Sequence, residues 1–263
     1  MNVIILAAGK GERLRPLTND KPKCMVELFG KSILEWQIDT FQKFGIKDIT
    51  IVTGYKSESI KYHELNLIKN PEFDSTNMVE TLFYAREKLC DETIVSYGDI
   101  LFQDDVLKGI IDSNADFSVV VDKNWLEYWK IRNDNPLNDA ESLNINSNGY
   151  ITSIGQKVEN IEEIQGQYIG LMKFQKTGVS KLISFYDESK KSSLSGINPL
   201  NKNLKFQNSY MTDLLNAMIL EGHNLKSINT HNGWLEIDTL SDFDLYQKMF
   251  HDGTLSKFFN VSN

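Results

Sequence analysis

The sequence predicts an α/β fold: a Rossmann-like, mostly parallel sheet with helices on both faces, carrying a mixed sheet extension in its second half. Three observations support this. Short continuous apolar runs such as Val3–Leu6 and Asp48–Thr53 lack polar alternation, as strands covered on both faces do. Over the first half these runs alternate with segments of helical period, which demands crossover connections between parallel strands. In the second half strand-like segments follow one another directly, and the Asn148-Gly149 pair between two of them calls for a hairpin.

The elements follow in order. Val3–Leu6 is a buried strand that breaks into Ala7-Ala8-Gly9. Ser32 and Glu35 have capping-box spacing, and Ile33, Leu34, Ile38, Phe41 and Phe44 recur on one helical face before Gly45 ends the run. Asp48–Thr53 is a second strand, Leu65–Lys69 a weaker third, Val79–Leu89 an amphipathic helix, and Glu92–Tyr97 a strand leading into Gly98-Asp99. Further strands are expected at Ala115–Asp122, Ser142–Asn146, Tyr150–Ile154 and Tyr168–Phe174, with helices around Leu182–Tyr186, Met211–Leu220 and Phe243–Met249. The polar stretch Glu188–Asn208 reads as a mobile loop, an oligomer contact or linker, so a homo-oligomer stays open.

Composition narrows the function classes. At 263 residues and 41% hydrophobic the chain can bury a large core, and its net charge of −8, from 28 basic and 36 acidic residues, excludes a general nucleic-acid binder. Cys24 and Cys90 cannot build a disulfide framework and lack metal-ligand spacing, which fits a reducing compartment. The apolar start is too short for a signal-peptide core or a membrane span, so a cytoplasmic location without membrane association is expected.

The loop after the first strand carries the chemistry. Gly9 and Gly11 let backbone N–H groups approach an anion, and Arg13, Arg15, Lys21 and Lys23 follow within a few residues. Such cations repel one another unless they face a polyanion; a solvated basic loop is the bland alternative. Leu14 stands where a dinucleotide fingerprint needs its third glycine, and no Gly-Lys-Ser/Thr follows, so neither a nicotinamide site nor a Walker loop fits. Asp99 leaves its strand at the same carboxyl-terminal edge, where α/β sheets bind ligands; otherwise it is a turn aspartate capping a helix near Gln103. Glu236-Ile237-Asp238 supplies late acids, with a chance acidic strand end as the alternative.

L-A-A-G-x-G-x-R-L, then P-L-T and K-P-K over residues 6–23, resembles the signature of nucleotidyltransferases that join a nucleoside triphosphate to a phosphorylated small molecule. The likeness continues through Val52-Thr53-Gly54-Tyr55, Gly98-Asp99 and Glu236-Ile237-Asp238. It implies one domain over residues 1–250, with a nucleotide half at 1–112, an acceptor half at 113–250 and a tail at 251–263. It further implies that Arg13 and Lys23 act on the triphosphate and that Asp99 and Asp238 hold Mg2+; Glu236, which alternates with Asp238 on a strand, is placed to assist. Leu6, Ala7, Ala8, Gly9, Gly11, Gly54, Thr76, Asn77 and Met78 would line the nucleotide pocket.

For the acceptor phosphate the resemblance implies Lys157, although Val158 replaces the usual proline, with Lys123 as a second candidate and a surface lysine as its alternative. Tyr168, with Trp125 and Trp129, would line the acceptor pocket or else belong to the core. The Glu-Lys-Pro run of sugar-1-phosphate enzymes is missing. Tracts such as DSTNMVETLF, VVDKNWLEYW and YMTDLLNAMI are similar to cytidylyltransferases of non-sugar phosphates: phosphocholine, 2-aminoethylphosphonate and, nearest, phosphoglutamine for phosphoramidate decoration of capsules. CTP and a small phosphorylated or phosphonate acceptor are therefore the expected partners. A sugar-1-phosphate enzyme and a non-catalytic nucleotide sensor are the competing expectations.

Overall fold

The computed structural model describes residues 1–62 and 64–261. Its first half contains β1 (Asn2–Ala7), β2 (Glu27–Leu28), β3 (Lys31–Ser32), β4 (Ile49–Thr53), β5 (Asn66–Lys69), β6 (Glu92–Tyr97) and β7 (Ile100–Phe102), with α1 (Ile33–Lys43), α2 (Met78–Tyr84) and α3 (Asp104–Ile111). The second half contains β8 (Phe117–Asp122), β9 (Leu143–Ile145), β10 (Tyr150–Ile154), β11 (Gln167–Gln175), β12 (Leu225–Thr230) and β13 (Trp234–Glu236), with α4 (Trp125–Arg132), α5 (Thr177–Ser193), α6 (Met211–Leu220) and α7 (Leu240–His251).

One sheet runs through both halves in the order β5-β4-β1-β6-β11-β8-β12-β10-β9. β5, β4, β1 and β6 are parallel neighbours, and β8 pairs parallel with β12. β11 and β10 run against the rest, so the sheet is mostly parallel with a mixed extension. β1 shows why its run has no polar alternation. Val3, Ile5 and Ala7 enter a core shared with α1, α3, α4 and α7, whereas Ile4 and Leu6 enter a second core against α2, α5 and α6. Alternate side chains point to opposite faces, and here both faces are covered.

Several local expectations change. Ser32 caps α1 by accepting from the Glu35 N–H at 3.1 Å, a contact that forms half of the expected box. The helix expected over Val79–Leu89 ends at Tyr84 and continues as a 3-10 turn at Arg86–Lys88. The segment expected to be a loop from Glu188 is helical as far as Ser193, because α5 buries Ser189 and pairs Lys190 with Glu80 at 2.9 Å. Farther along the same stretch, Asn198 and Phe206 are buried, and Asn198 donates to Ser209 at 2.9 Å. Beyond α7, Leu255, Phe258 and Phe259 return to the core; residues 262–263 of the expected tail lie outside the described residues. Among the described residues no helix is long and apolar enough to cross a membrane.

Candidate active site

Two acids far apart in sequence meet because the strands beside them pair. β7 follows Asp99 and β13 precedes Asp238; they run antiparallel with Glu236 opposite Ile100 and Trp234 opposite Phe102. The Ile237 N–H then donates to the Asp99 carbonyl at 3.0 Å, which closes the small ladder beside both carboxylates. Gly98 sets the other side of Asp99: its N–H donates to the Leu6 carbonyl at 2.9 Å, and a Cβ there would lie 2.7 Å from that oxygen. Only glycine lets β6 end this close to β1. Asp99 caps no helix, since the N-cap of α3 is Gln103.

Lys23 lies between the acids. It starts a 3-10 turn after Pro22, and its Nζ reaches Asp99 Oδ2 at 2.6 Å and Asp238 Oδ1 at 2.7 Å. Burial by itself would lower its pKa, but the charges of Asp99 and Asp238 outweigh that and hold it well above the ordinary lysine value. Arg13 pairs with the other oxygen, Asp238 Oδ2, while two-thirds of its side chain stays exposed. Gly11 adopts φ 62°, and a Cβ on it would lie 3.0 Å from Lys23 Cβ, so this glycine makes room for the lysine stem.

Asp99 Oδ1 is buried and accepts no hydrogen bond from any described residue. A carboxylate oxygen left without a donor is costly unless something else binds it. No described group of three or more His, Cys, Asp or Glu side chains forms a closed cation cage. The donor set is two carboxylates joined through one lysine, with one Asp99 oxygen left unpaired. That composition fits Mg2+, which commonly takes one or two protein carboxylates and completes its shell with water and substrate phosphates.

Next to these charges opens a cavity. Its walls include Leu6, Ala7, Ala8 and Gly9 from the end of β1, and Thr76, Asn77 and Met78 at the start of α2. Lys23 and Asp99 line it as well. Asn77 is the N-cap of α2: its Oδ1 accepts from the Met78 N–H at 2.8 Å, and its own N–H donates to the Gln207 carbonyl at 2.8 Å. The sequence reading missed Cys24, Phe73, Thr81, Tyr97 and Gly98 on the same wall. Cys24 and Tyr97 adjoin motif residues, and that adjacency was the available signal. Burial pushes the Cys24 thiol up to about 12, so it is a neutral wall group.

Gly54 does not line this cavity. It lies behind it, where a Cβ would meet the Ala8 carbonyl and Phe73 Cβ, both at 2.6 Å. Its lack of a side chain lets the loops after β1 and β4 touch.

The acceptor candidates are more scattered. Lys123 Nζ donates to the Gln165 carbonyl, and Lys157 is exposed with no ion pair to any described residue. Neither borders the cavity. Tyr168 packs edge-on against Tyr97 with ring centroids 5.6 Å apart, so it touches the wall from behind. Trp125 and Trp129 are each 4% exposed, belong to the core and do not border the cavity. Glu236 is not free beside Asp238, since Arg132 Nη1 holds its Oε2 at 2.8 Å. Burial raises the Glu236 pKa to about 6.

Comparison with known proteins puts this site in context. Residues 3–143 match the MobA-like NTP transferase domain. The chain is 40% identical to the CTP:phosphoglutamine cytidylyltransferase of Campylobacter jejuni subsp. jejuni, over 93% of this chain and 98% of that protein. It is 35% identical to the choline-phosphate cytidylyltransferase of Streptococcus pneumoniae, over 39% of this chain and 47% of that one. The solved CTP:phosphocholine cytidylyltransferase of Streptococcus pneumoniae shares the fold at a TM-score of 0.71 and 22% identity, covering 95% of this chain and 98% of that one. The family match spans more than half of the chain and contains Arg13, Lys23 and Asp99; this chain belongs to the MobA-like NTP transferase family and is a nucleotidyltransferase.

Proposed function

We propose that this enzyme transfers the cytidylyl group of CTP to a small non-sugar phosphate, most closely phosphoglutamine, and releases pyrophosphate. The observation that carries the reading is the ion-paired cluster of Arg13, Lys23, Asp99 and Asp238, two of whose members, Lys23 and Asp99, line the cavity. The near full-length likeness to a CTP:phosphoglutamine cytidylyltransferase supports this choice of nucleotide and acceptor.

In this reading residues 1–112 serve the nucleotide and 113–250 the acceptor. The backbone of Leu6–Gly9 and the start of α2 hold the nucleoside, with Gly11 and Gly54 allowing the close approaches around it. Arg13 and Lys23 face the triphosphate. Mg2+ held by Asp99 and Asp238 would supply charge compensation to the phosphates when bound. An acceptor oxygen attacks the α-phosphorus in line; the new P–O bond forms as the bond to the pyrophosphate oxygen breaks. The attacking acceptor oxygen is already ionised near neutral pH, so no general base is needed. The residues' work is alignment and charge compensation. Lys157, Lys123 and Tyr168 are the acceptor side of the proposal; of the two lysines, Lys157 has no ion pair to any described residue, whereas Lys123 donates to the Gln165 carbonyl.

The test is pyrophosphate release with each nucleoside triphosphate against phosphoglutamine, phosphocholine, 2-aminoethylphosphonate and glucose-1-phosphate. CTP with phosphoglutamine is expected to turn over fastest, and Asp99→Asn to lower its kcat by about 100-fold or more. Turnover of glucose-1-phosphate alone overturns the acceptor assignment, and undiminished turnover by Asp99→Asn overturns the site.

A further inference from the structure

We infer that Arg132 is a positioning residue that sets the orientation of Asp238 at the nucleotidyl-transfer site. The inference rests on the reading of Asp99 and Asp238 as the divalent-ion pair, and it adds a residue that contacts neither substrate nor ion.

The side chain of Arg132 at the end of α4 is 4% exposed, and its hydrogen bonds go to the segment around Asp238. Nε donates to Asp242 Oδ1 at 3.0 Å, Nη2 to Asp242 Oδ2 at 3.3 Å and Nη1 to Glu236 Oε2 at 2.8 Å. Asp242 Oδ2 in turn accepts the Asp238 N–H at 3.0 Å and the Thr239 N–H at 2.8 Å. One planar fork therefore grips the residue two before Asp238 and, through Asp242, the peptide of Asp238 itself.

The rest of the neighbourhood serves the same segment. Tyr128 Oη accepts the Glu236 N–H at 2.8 Å, and Tyr246 Oη donates to the Glu236 carbonyl at 2.8 Å. Arg132 is held over the rings of Tyr128 and Trp129 at 5.2 and 5.6 Å. Its own freedom is thus removed before it acts on anything else.

A buried ion pair is a poor way to join two helices, since desolvation offsets much of its attraction and apolar side chains of similar volume hold at least as well. What the fork adds is direction. Its five donors in a fixed plane specify two carboxylates at once, which a lysine ammonium does not reproduce. The carboxylate that needs such direction is Asp238, because it shares Lys23 with Asp99 and both must converge on one ion.

The experiment measures Mn2+ binding to the full chain by electron paramagnetic resonance, with and without CTP, for wild type, Arg132→Met, Arg132→Lys and Asp242→Asn. Steady-state pyrophosphate release and thermal unfolding are followed alongside. Arg132→Met is expected to weaken Mn2+ binding by about 10- to 100-fold, the usual effect of removing a partner that orients an ion ligand. Its kcat should fall by a similar factor, while KM for the nucleotide and CTP binding in chelator stay within about twofold. Arg132→Lys should lie between, and Asp242→Asn should weaken Mn2+ binding in the same direction. Wild-type Mn2+ affinity in a folded Arg132→Met protein overturns the inference, as does a loss of thermal stability with Mn2+ affinity and kcat unchanged. If Arg132→Met does not fold, wild-type affinity in both Arg132→Lys and Asp242→Asn overturns it equally. Failure of the wild type to bind Mn2+ at all overturns the ion-pair reading itself, a result distinct from any failure of Arg132.

Discussion

Lys23 neutralises two carboxylates that would otherwise repel each other, in a site where all three side chains are less than one-fifth exposed. Its raised pKa means that this contribution is fully present below the ordinary lysine value of 10.5 and is lost only as pH rises through the higher folded value. The bridge therefore stays charged across neutral pH. Lys23→Met leaves Asp99 without a cation and Asp238 with Arg13 alone, and breaking such a buried pair costs about 3–5 kcal/mol. Urea unfolding in chelator should show a loss of that order, and added Mg2+ should restore more stability to the variant than to the wild type. An unchanged midpoint in chelator counts against the bridge. Lysine and aspartate were readable as site residues from their motifs. Their pairing with each other was not, because a motif gives residue types along the chain and no distances across it.

At the scale of elements, α2 links a helix terminus to the cavity. Asn77 caps it, and the residues around the cap form part of the wall. Asn77→Ala should cost about 1 kcal/mol of stability through loss of the cap. Because the first turn of α2 would then fray beside the cavity, KM for the nucleotide should rise severalfold with kcat little changed; kinetics and thermal unfolding together check this. The elements that sequence patterning identified were those with strong local signals: the apolar runs of β1 and β4, and the Asn148-Gly149 hairpin, whose glycine takes φ 75°. α4 escaped notice. Its WLEYWKIR run buries Trp125, Tyr128 and Trp129, but the side chain of Arg132 is buried from the same helix, so no simple apolar stripe separates from a charged one. α5 was underestimated at its end for a related reason: Lys190 looks solvated, but its ammonium binds Glu80 on α2.

Across the whole molecule the two halves share one sheet. β11 lies between β6 and β8, pairing Leu171 with Ser96 on one side and Met172 with Val119 on the other. Both cores also draw residues from each half. Unfolding one half alone would strip the ladder and apolar cover from the other. Calorimetry should therefore give a single transition, with calorimetric and van't Hoff enthalpies in agreement. Two separated transitions would show that the halves unfold independently.

Local order along the chain determined the buried strands, the glycine-rich turn after β1 and the charged residue types at the strand ends, since each of these depends on neighbours a few residues away. Partnership across the chain was left to the tertiary structure. Only the pairing of β7 with β13 brings Asp238 to Asp99, and only the packing of α4 against α7 buries Arg132 on Asp242 while drawing Trp125 and Trp129 into the core. Contacts between residues more than 100 positions apart depend on strand order and helix packing, which the entire set of buried surfaces selects together.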